Sequence, residues 1–299
     1  MNTGRILLTG ASGFVGTQIR EHLHSGAQLH CTTSTARAGD DDAQWHFVDL
    51  RDRAASAALI RDVRPDMLIH CAWNTAHGEF WDAHDNEDWL EAGKALFSAF
   101  ADSGGCRIVG FGTCAEYSRD QPGPHREDEA IEPYAPATRY GRAKLALLRH
   151  LEGLGISHGW ARIFLAYGEG EDSRRLIPSV LRALLSNQPA KCSSGKQLRD
   201  LLDVRDIGAA IAKLAFSDVE GVINLGSGAP VSIGEVAKML GEIVGRPDLV
   251  QLGALPDRPG EAPILIPDTR RQTDELGFIP GIDLRTGLDD AARYWSTRY

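Results

Sequence analysis

The sequence predicts an α/β protein organised on a doubly wound parallel sheet, and three observations carry that expectation. Short apolar segments of strand character alternate with amphipathic helical segments through the first half of the chain. A glycine-rich turn, Gly10-Ala11-Ser12-Gly13-Phe14-Val15-Gly16, joins the first strand to the first helix. Tyr140 and Lys144 are spaced to share one face of a later helix.

Taken in order, residues 5–9 (Arg-Ile-Leu-Leu-Thr) read as a buried strand and run straight into the glycine turn, with an amphipathic segment over 17–25 behind it. Such a turn needs a tight bend, close backbone approach to a pyrophosphate and close packing of helix on strand. The helix N-terminus then offers N–H groups and the positive end of its dipole to phosphate. The spacing is G-x-x-G-x-x-G rather than G-x-G-x-x-G. Residues 28–33 form the second strand. A carboxylate at its end would bind the ribose 2′-OH of NAD. The chain instead continues Thr33-Ser34-Thr35-Ala36-Arg37, small hydroxyls and a cation that suit a 2′-phosphate, so NADP is preferred over NAD.

A third strand covers 45–50, a helix over 51–63 is stopped by Pro65, and a fourth strand covers 67–72. The helix over 87–103 ends at Gly104-Gly105. A fifth strand, 106–111, leads into Gly112-Thr113-Cys114-Ala115-Glu116-Tyr117. A proline- and acid-rich loop over 121–136 precedes the helix of Tyr140 and Lys144, and 159–164 closes a sixth strand. Ligands of such sheets bind beyond the carboxyl ends of the strands. Thr113, Tyr140 and the loop after Phe164 fall at that edge. Further on, helices are expected over 174–187, 206–216, 232–244 and 284–299, with a strand over 221–226. Ser232 and Glu235 have capping-box spacing.

Composition narrows the function classes. A chain of 299 residues, 42% hydrophobic and 24% charged, has the balance of a globular protein. A formal charge of −9 argues against a general nucleic-acid binder. No apolar run reaches the roughly 18–20 residues of a membrane span, and the N-terminal apolar run is too short for a signal peptide. The five cysteines (31, 71, 106, 114 and 192) form neither a CxxC pair nor a disulfide framework, which suggests reduced thiols in a cytoplasmic protein. No metal site is expected. The Tyr140/Lys144 pair supplies a chemistry: an ammonium beside a phenol favours the phenolate, so the tyrosine can exchange a proton with a substrate oxygen near neutral pH.

With the glycine turn, Thr113 and the Tyr140/Lys144 pair in place, the chain resembles the extended branch of the short-chain dehydrogenase/reductase superfamily, which acts on nucleotide-activated sugars. Thr9-Gly-Ala-Ser-Gly-Phe-Val-Gly16, Arg162-Ile-Phe-Leu-Ala-Tyr-Gly168 and Arg199-Asp-Leu-Leu-Asp-Val204 carry the likeness. It implies a Rossmann domain over 1–172 plus about 201–228. A smaller C-terminal α/β substrate-binding domain would comprise about 173–200 and 229–299. It implies catalytic roles for Tyr140 as proton donor or acceptor, for Lys144 at the nicotinamide ribose, and for Thr113, four residues ahead of an aromatic, as hydrogen-bond partner of the sugar oxygen. The cofactor would meet Gly10, Gly13, Phe14, Val15 and Gly16 at the pyrophosphate, Asp49 and Leu50 at the adenine, Ala72 and Trp73 near the ribose, and Phe164 and Leu165 near the nicotinamide. Thr33, Ser34 and Arg37 would complete the cofactor set. Arg199 and Arg258 resemble residues that clamp a nucleotide diphosphate, and Asn74, with Trp73, His77 and Glu116, is expected to shape the sugar pocket. Relatives dimerise through helices that correspond here to 87–103 and 136–154, so a homodimer is expected.

Four reactions compete. Dehydratases of this family carry Asp-Glu after the catalytic hydroxyl, whereas here those positions are Cys114 and Ala115. Alanine moves no proton. Fucose-type epimerase/reductases place a cysteine two positions after the hydroxyl; here it is one after, so Cys114 reads as a packed thiol. A 4-epimerase resembles NAD-specific relatives that carry an acid after the second strand, and this chain lacks it. The preferred reading is NADPH-dependent reduction of an NDP-4-keto-6-deoxyhexose at C4, or the reverse 4-dehydrogenation, in deoxysugar or O-antigen synthesis. The alternatives are an NAD-dependent NDP-hexose 4-epimerase and a cofactor-binding sensor without turnover.

Overall fold

A computed structural model describes residues 4–23, 26–34 and 43–299. In chain order the elements are β1 (Arg5–Thr9), α1 (Phe14–His22), β2 (Gln28–Thr33), β3 (Gln44–Phe47), α2 (Arg53–Val63), β4 (Met67–His70), α3 (Asp85–Asp102) and β5 (Arg107–Thr113). Then come α4 (Arg139–Gly153), β6 (Ser157–Ile163), β7 (Leu165–Tyr167), α5 (Leu176–Leu185), β8 (Ala190–Lys191), β9 (Leu198–Arg199), β10 (Leu201–Asp203) and α6 (Val204–Ala215). The chain ends with β11 (Gly221–Leu225), β12 (Val231–Ser232), α7 (Ile233–Val244), β13 (Val250–Gln251), β14 (Ile264–Leu265), α8 (Arg270–Asp274) and α9 (Leu284–Ser296).

Among the described residues, seven parallel strands form the central sheet in the order β11-β6-β5-β4-β1-β2-β3. Both faces are covered, so the middle of β1, Ile6-Leu7-Leu8, is apolar and divides its side chains between two cores. Ile6 and Leu8 pack with Ile19 of α1 and Ile207 and Ile211 of α6. Leu7 points to the other face, among Ile60 of α2, Phe97 of α3 and Leu148 of α4. That two-sided burial is why the strands read as continuous apolar runs. A third core joins α5, α7 and α9 through Leu181, Val236 and Leu288.

The strand order reverses between β1 and β4, which opens a crevice at their carboxyl ends. The first helix begins at Phe14, earlier than expected, because Gly16 is needed inside it: a β-carbon there would collide with the Gly10 carbonyl. The expected far end of that helix, Ser25, lies outside the described residues. The third strand stops at Phe47, and Val48–Leu50 turn away to line the cavity. The helix expected from 174 starts at Leu176, and that expected from 206 starts at Val204, capped by Asp203. The Ser232/Glu235 capping box forms as expected.

Candidate active site

A cavity of about 990 Å³ opens along the carboxyl ends of the central strands. Thr113, Tyr140 and Lys144 all line it. Thr113 ends β5 and caps a single turn of 3-10 helix over Cys114–Glu116. The Ala115 N–H donates to Thr113 Oγ1 at 3.2 Å, which leaves the hydroxyl proton free to donate. Glu116 closes the other half of the capping box by accepting from the Thr113 N–H at 2.9 Å.

Glu116 is fully buried, and its carboxylate also accepts from Arg162 Nε at 2.7 Å and Trp160 Nε1 at 3.1 Å. Arg162 in turn donates to the Tyr117 hydroxyl at 3.0 Å, and Tyr117 to Asn224 at 2.8 Å. This corrects the expectation that Glu116 shapes the sugar pocket: it is the buried support of Thr113. The Thr-x-x-Glu spacing was the sequence signal for that role. The segment is a helical turn rather than an extended chain. Cys114 is buried with its thiol 3.7 Å from the Phe164 carbonyl, and burial pushes the thiol up to about 11.

On the opposite side, Thr138 caps α4 by accepting from the Gly141 N–H at 3.1 Å. A β-carbon on Gly141 would collide with the Ala115 carbonyl, so glycine lets α4 press Tyr140 against the Thr113 turn. The Tyr140 ring stands edge-to-face with Phe80 (5.0 Å between centroids), Trp81 (5.9 Å) and Trp73 (6.2 Å). Burial raises the phenol well above its ordinary value, Glu116 and Cys114 add to the rise, and a hydrogen bond with Thr113 works against it. Lys144 is also buried, and burial brings its ammonium down to about 7. Its Nζ lies 3.9 Å from the Trp73 ring centroid and 5.8 Å from that of Tyr140. Lys144 Nζ thus lies nearer the indole ring than the ring of the phenol it is expected to acidify.

The dinucleotide expectation fits the cavity. Gly10, Gly13, Phe14 and Val15 line one end, and Gly13 caps α1 with no side-chain hydrogen bond, leaving the helix N-terminus open toward phosphate. Gly16 is buried inside α1 and supports this turn by packing. Thr33 and Ser34 line the cavity where β2 ends, and a 3.1 Å hydrogen bond links the Ser12 and Thr33 hydroxyls. Arg37 lies outside the described residues. Asp49 and Leu50, expected at the adenine, also line the cavity; Asp49 is held by a fork from Arg51 (3.0 and 2.9 Å), which keeps its carboxyl low. Ala72, Trp73, Phe164 and Leu165 line the stretch between. Sequence reasoning missed Asp85 and Trp89, whose Oδ1 and Nε1 are buried at the cavity wall without a partner.

Asn74, Arg199 and Arg258 also line the cavity. Asn74 is already engaged, donating to Asp85 at 2.7 Å and accepting from the Ala76 N–H at 3.1 Å. Arg199 donates to Glu261 at 2.8 Å and to its neighbour Leu198's carbonyl at 2.8 Å, so its fork is partly committed within the protein. His77 does not line the cavity, contrary to expectation; it lies near Arg175, Asp172 and Arg258. Arg175 does line it and was missed, because nothing in the sequence marks an arginine before a helix as pocket-facing. Among the described residues no cluster of three or more His, Cys, Asp or Glu could hold a metal, and no helix is long and apolar enough to cross a membrane.

Residues 6–226 match the NAD dependent epimerase/dehydratase family. The chain is 26% identical to a dTDP-4-dehydro-6-deoxy-D-allose reductase from Streptomyces bikiniensis, over 97% of this chain and 95% of that protein. It is likewise 26% identical to a UDP-glucose 4-epimerase from Azospirillum brasilense, over 97% of this chain and 91% of that protein. In structure it is similar to UDP-glucose 4-epimerase from Thermotoga maritima, solved with UDP-glucose, at a TM-score of 0.88 and 20% identity, covering 98% of this chain and 99% of that one.

Proposed function

This chain belongs to the NAD-dependent epimerase/dehydratase family and is a nucleotide-sugar oxidoreductase, and we propose that within it the protein reduces an NDP-4-keto-6-deoxyhexose at C4 with NADPH. One observation carries the reading. Thr113, Tyr140 and Lys144 line a single aromatic-walled end of the cavity, and Ala115 stands where dehydration would need an acid. Glu116, the carboxylate beside it, is committed to Arg162 and the Thr113 N–H.

The nicotinamide, when bound, supplies the hydride delivered to C4. Tyr140 gives its proton to the C4 oxygen as charge develops there, and the raised phenol value keeps that proton in place beforehand. Thr113 donates a hydrogen bond to the same oxygen, its lone pair being held by the Ala115 N–H. Lys144 holds the ribose and turns its charge toward the phenolate left behind. The aromatic wall of Phe80, Trp81 and Trp73 excludes water from the reacting end. Gly10, Gly13, Phe14 and Val15 take the pyrophosphate, with Asp49 and Leu50 at the adenine. Arg199, Arg258 and Asn74 take the nucleotide-diphosphate sugar, and the core of α5, α7 and α9 forms the substrate half.

NADP is favoured because β2 ends at Thr33 and the chain continues Ser34-Thr35-Ala36-Arg37, with no acid among these residues. A second reading, an NAD-dependent 4-epimerase, is favoured by the epimerase relative of equal identity. Titrating the purified protein with both cofactors separates the two. A reductase binds NADPH more tightly than NADH and releases the oxidised NADP each turnover. Co-purified NAD with no preference for NADP would favour the epimerase.

A further inference from the structure

Lys144 must keep a flexible four-carbon arm in one place while buried, and among the described residues no carboxylate pairs with it. The titratable and charged groups facing it are His70 and Cys71 from the end of β4, Glu116 from the turn after β5, and Tyr140 from its own helix. None is an available anion. His70 is kept neutral by burial, which lowers it to about 3, and burial pushes the Cys71 thiol up to about 12. Glu116 is bound to Arg162 at 2.7 Å.

The indole of Trp73 stands where a counter-ion would. Its ring centroid is 3.9 Å from Lys144 Nζ, well inside the reach of a cation–π contact. The ring is itself fixed. Its Nε1–H donates to Asn86 Oδ1 at 2.9 Å, and the buried Asn86 amide donates to the Phe80 and Ala83 carbonyls at 2.7 and 2.9 Å. Trp89 stacks against Trp73 at 6.1 Å and 30°. The chain Asn86–Trp73–Lys144 therefore runs from a rigid helix start to the ammonium. We propose that Trp73 is a positioning residue, holding the Lys144 ammonium at the ribose end of the cavity by its ring face rather than by an ion pair.

This rests on the reading of Lys144 as part of the proton-transfer set, and the test separates the two. The protein is labelled with ¹³C-lysine, the Lys144 side-chain signal is assigned by its loss in Lys144→Met, and its titration is followed without cofactor. Trp73→Leu keeps an apolar group but removes the ring. The ammonium is then less stabilised, so its titration is expected to move down by about 0.5–1.5 pH units, the upper limb of the kcat/KM profile following it. Trp73→Phe keeps a weaker ring and should move both by less. An unmoved Lys144 titration in folded Trp73→Leu overturns the proposal. Should that variant not fold, an unmoved titration in Trp73→Phe does so. Full turnover in Lys144→Met would instead sink the proton-transfer reading, leaving the ring–ammonium contact to stand or fall on the titration alone.

Discussion

On the Thr113 side of Tyr140 a buried cation, Arg162, is met by the Glu116 carboxylate at 2.7 Å and the Tyr117 hydroxyl at 3.0 Å. On the β4 side Lys144 is as deeply buried, yet an indole face stands in place of a carboxylate. Behind the first wall Glu116, Arg162 and Tyr117 are bonded to one another, so they fix geometry and leave only the Thr113 hydroxyl proton for a ligand. The second keeps a cation that, among the described residues, makes no ion pair and lines the cavity. Burial without a counter-ion costs stability, and a binding site is where that cost has a use. The paired charge holds the fold in place. The unpaired one is left for chemistry.

Three substitutions would break or sharpen this contrast. Tyr140, between the walls, should show the largest effect: Tyr140→Phe is expected to lower kcat by roughly 10²–10⁴-fold with cofactor binding retained, measured by steady-state turnover beside a cofactor titration. A variant that turned over normally would remove Tyr140 from the reaction. Next is the paired wall. Glu116→Ala leaves Arg162 buried without its partner, and denaturant unfolding should report a loss of about 3–5 kcal/mol. A loss below about 1 kcal/mol, the size of an exposed pair, would mean the network is not the support described.

The open wall should respond with the opposite sign. Burial lowers Lys144 from 10.5 to about 7. Between those values the unfolded chain holds the proton and the folded chain does not. Folded stability therefore falls as pH drops through that window, and the full penalty remains below about 7. Lys144→Met removes the penalty. The variant should be more stable than the native protein by roughly 1–3 kcal/mol below pH 7, with the margin shrinking toward pH 10.5. Unfolding curves across that range check it, and a variant destabilised at pH 6 would show that Lys144 is held by more than an aromatic face.

Much of the fold could be read from local pattern. Continuous apolar strands alternating with amphipathic helices pointed to a parallel sheet covered on both faces, with the glycine turn after the first strand. Boundaries were less legible. The first helix begins at Phe14 because Gly16 sits inside it against Gly10, a contact between two backbones that residue propensities do not register. The third strand ends at Phe47, and the next residues turn to line the cavity, where Asp49 is held by Arg51.

By itself the sequence determined the alternating elements, the glycine turn and the shared helix face of Tyr140 and Lys144, since each follows from short-range spacing. It also determined that no acid stands at Ala115. Which polar groups face the cavity and which are already spent was decided by the tertiary structure alone. Glu116 looked available and is locked to Arg162; Arg199 looked free and is shared with Glu261; Arg175 and Trp89 looked unremarkable and line the wall. The physical reason is that a side chain's partners come from segments far away in sequence. Arg162 lies 46 residues from Glu116, and Glu261 lies 62 from Arg199. Only folding brings those groups within hydrogen-bonding distance and decides whether a charge is satisfied or left for a ligand.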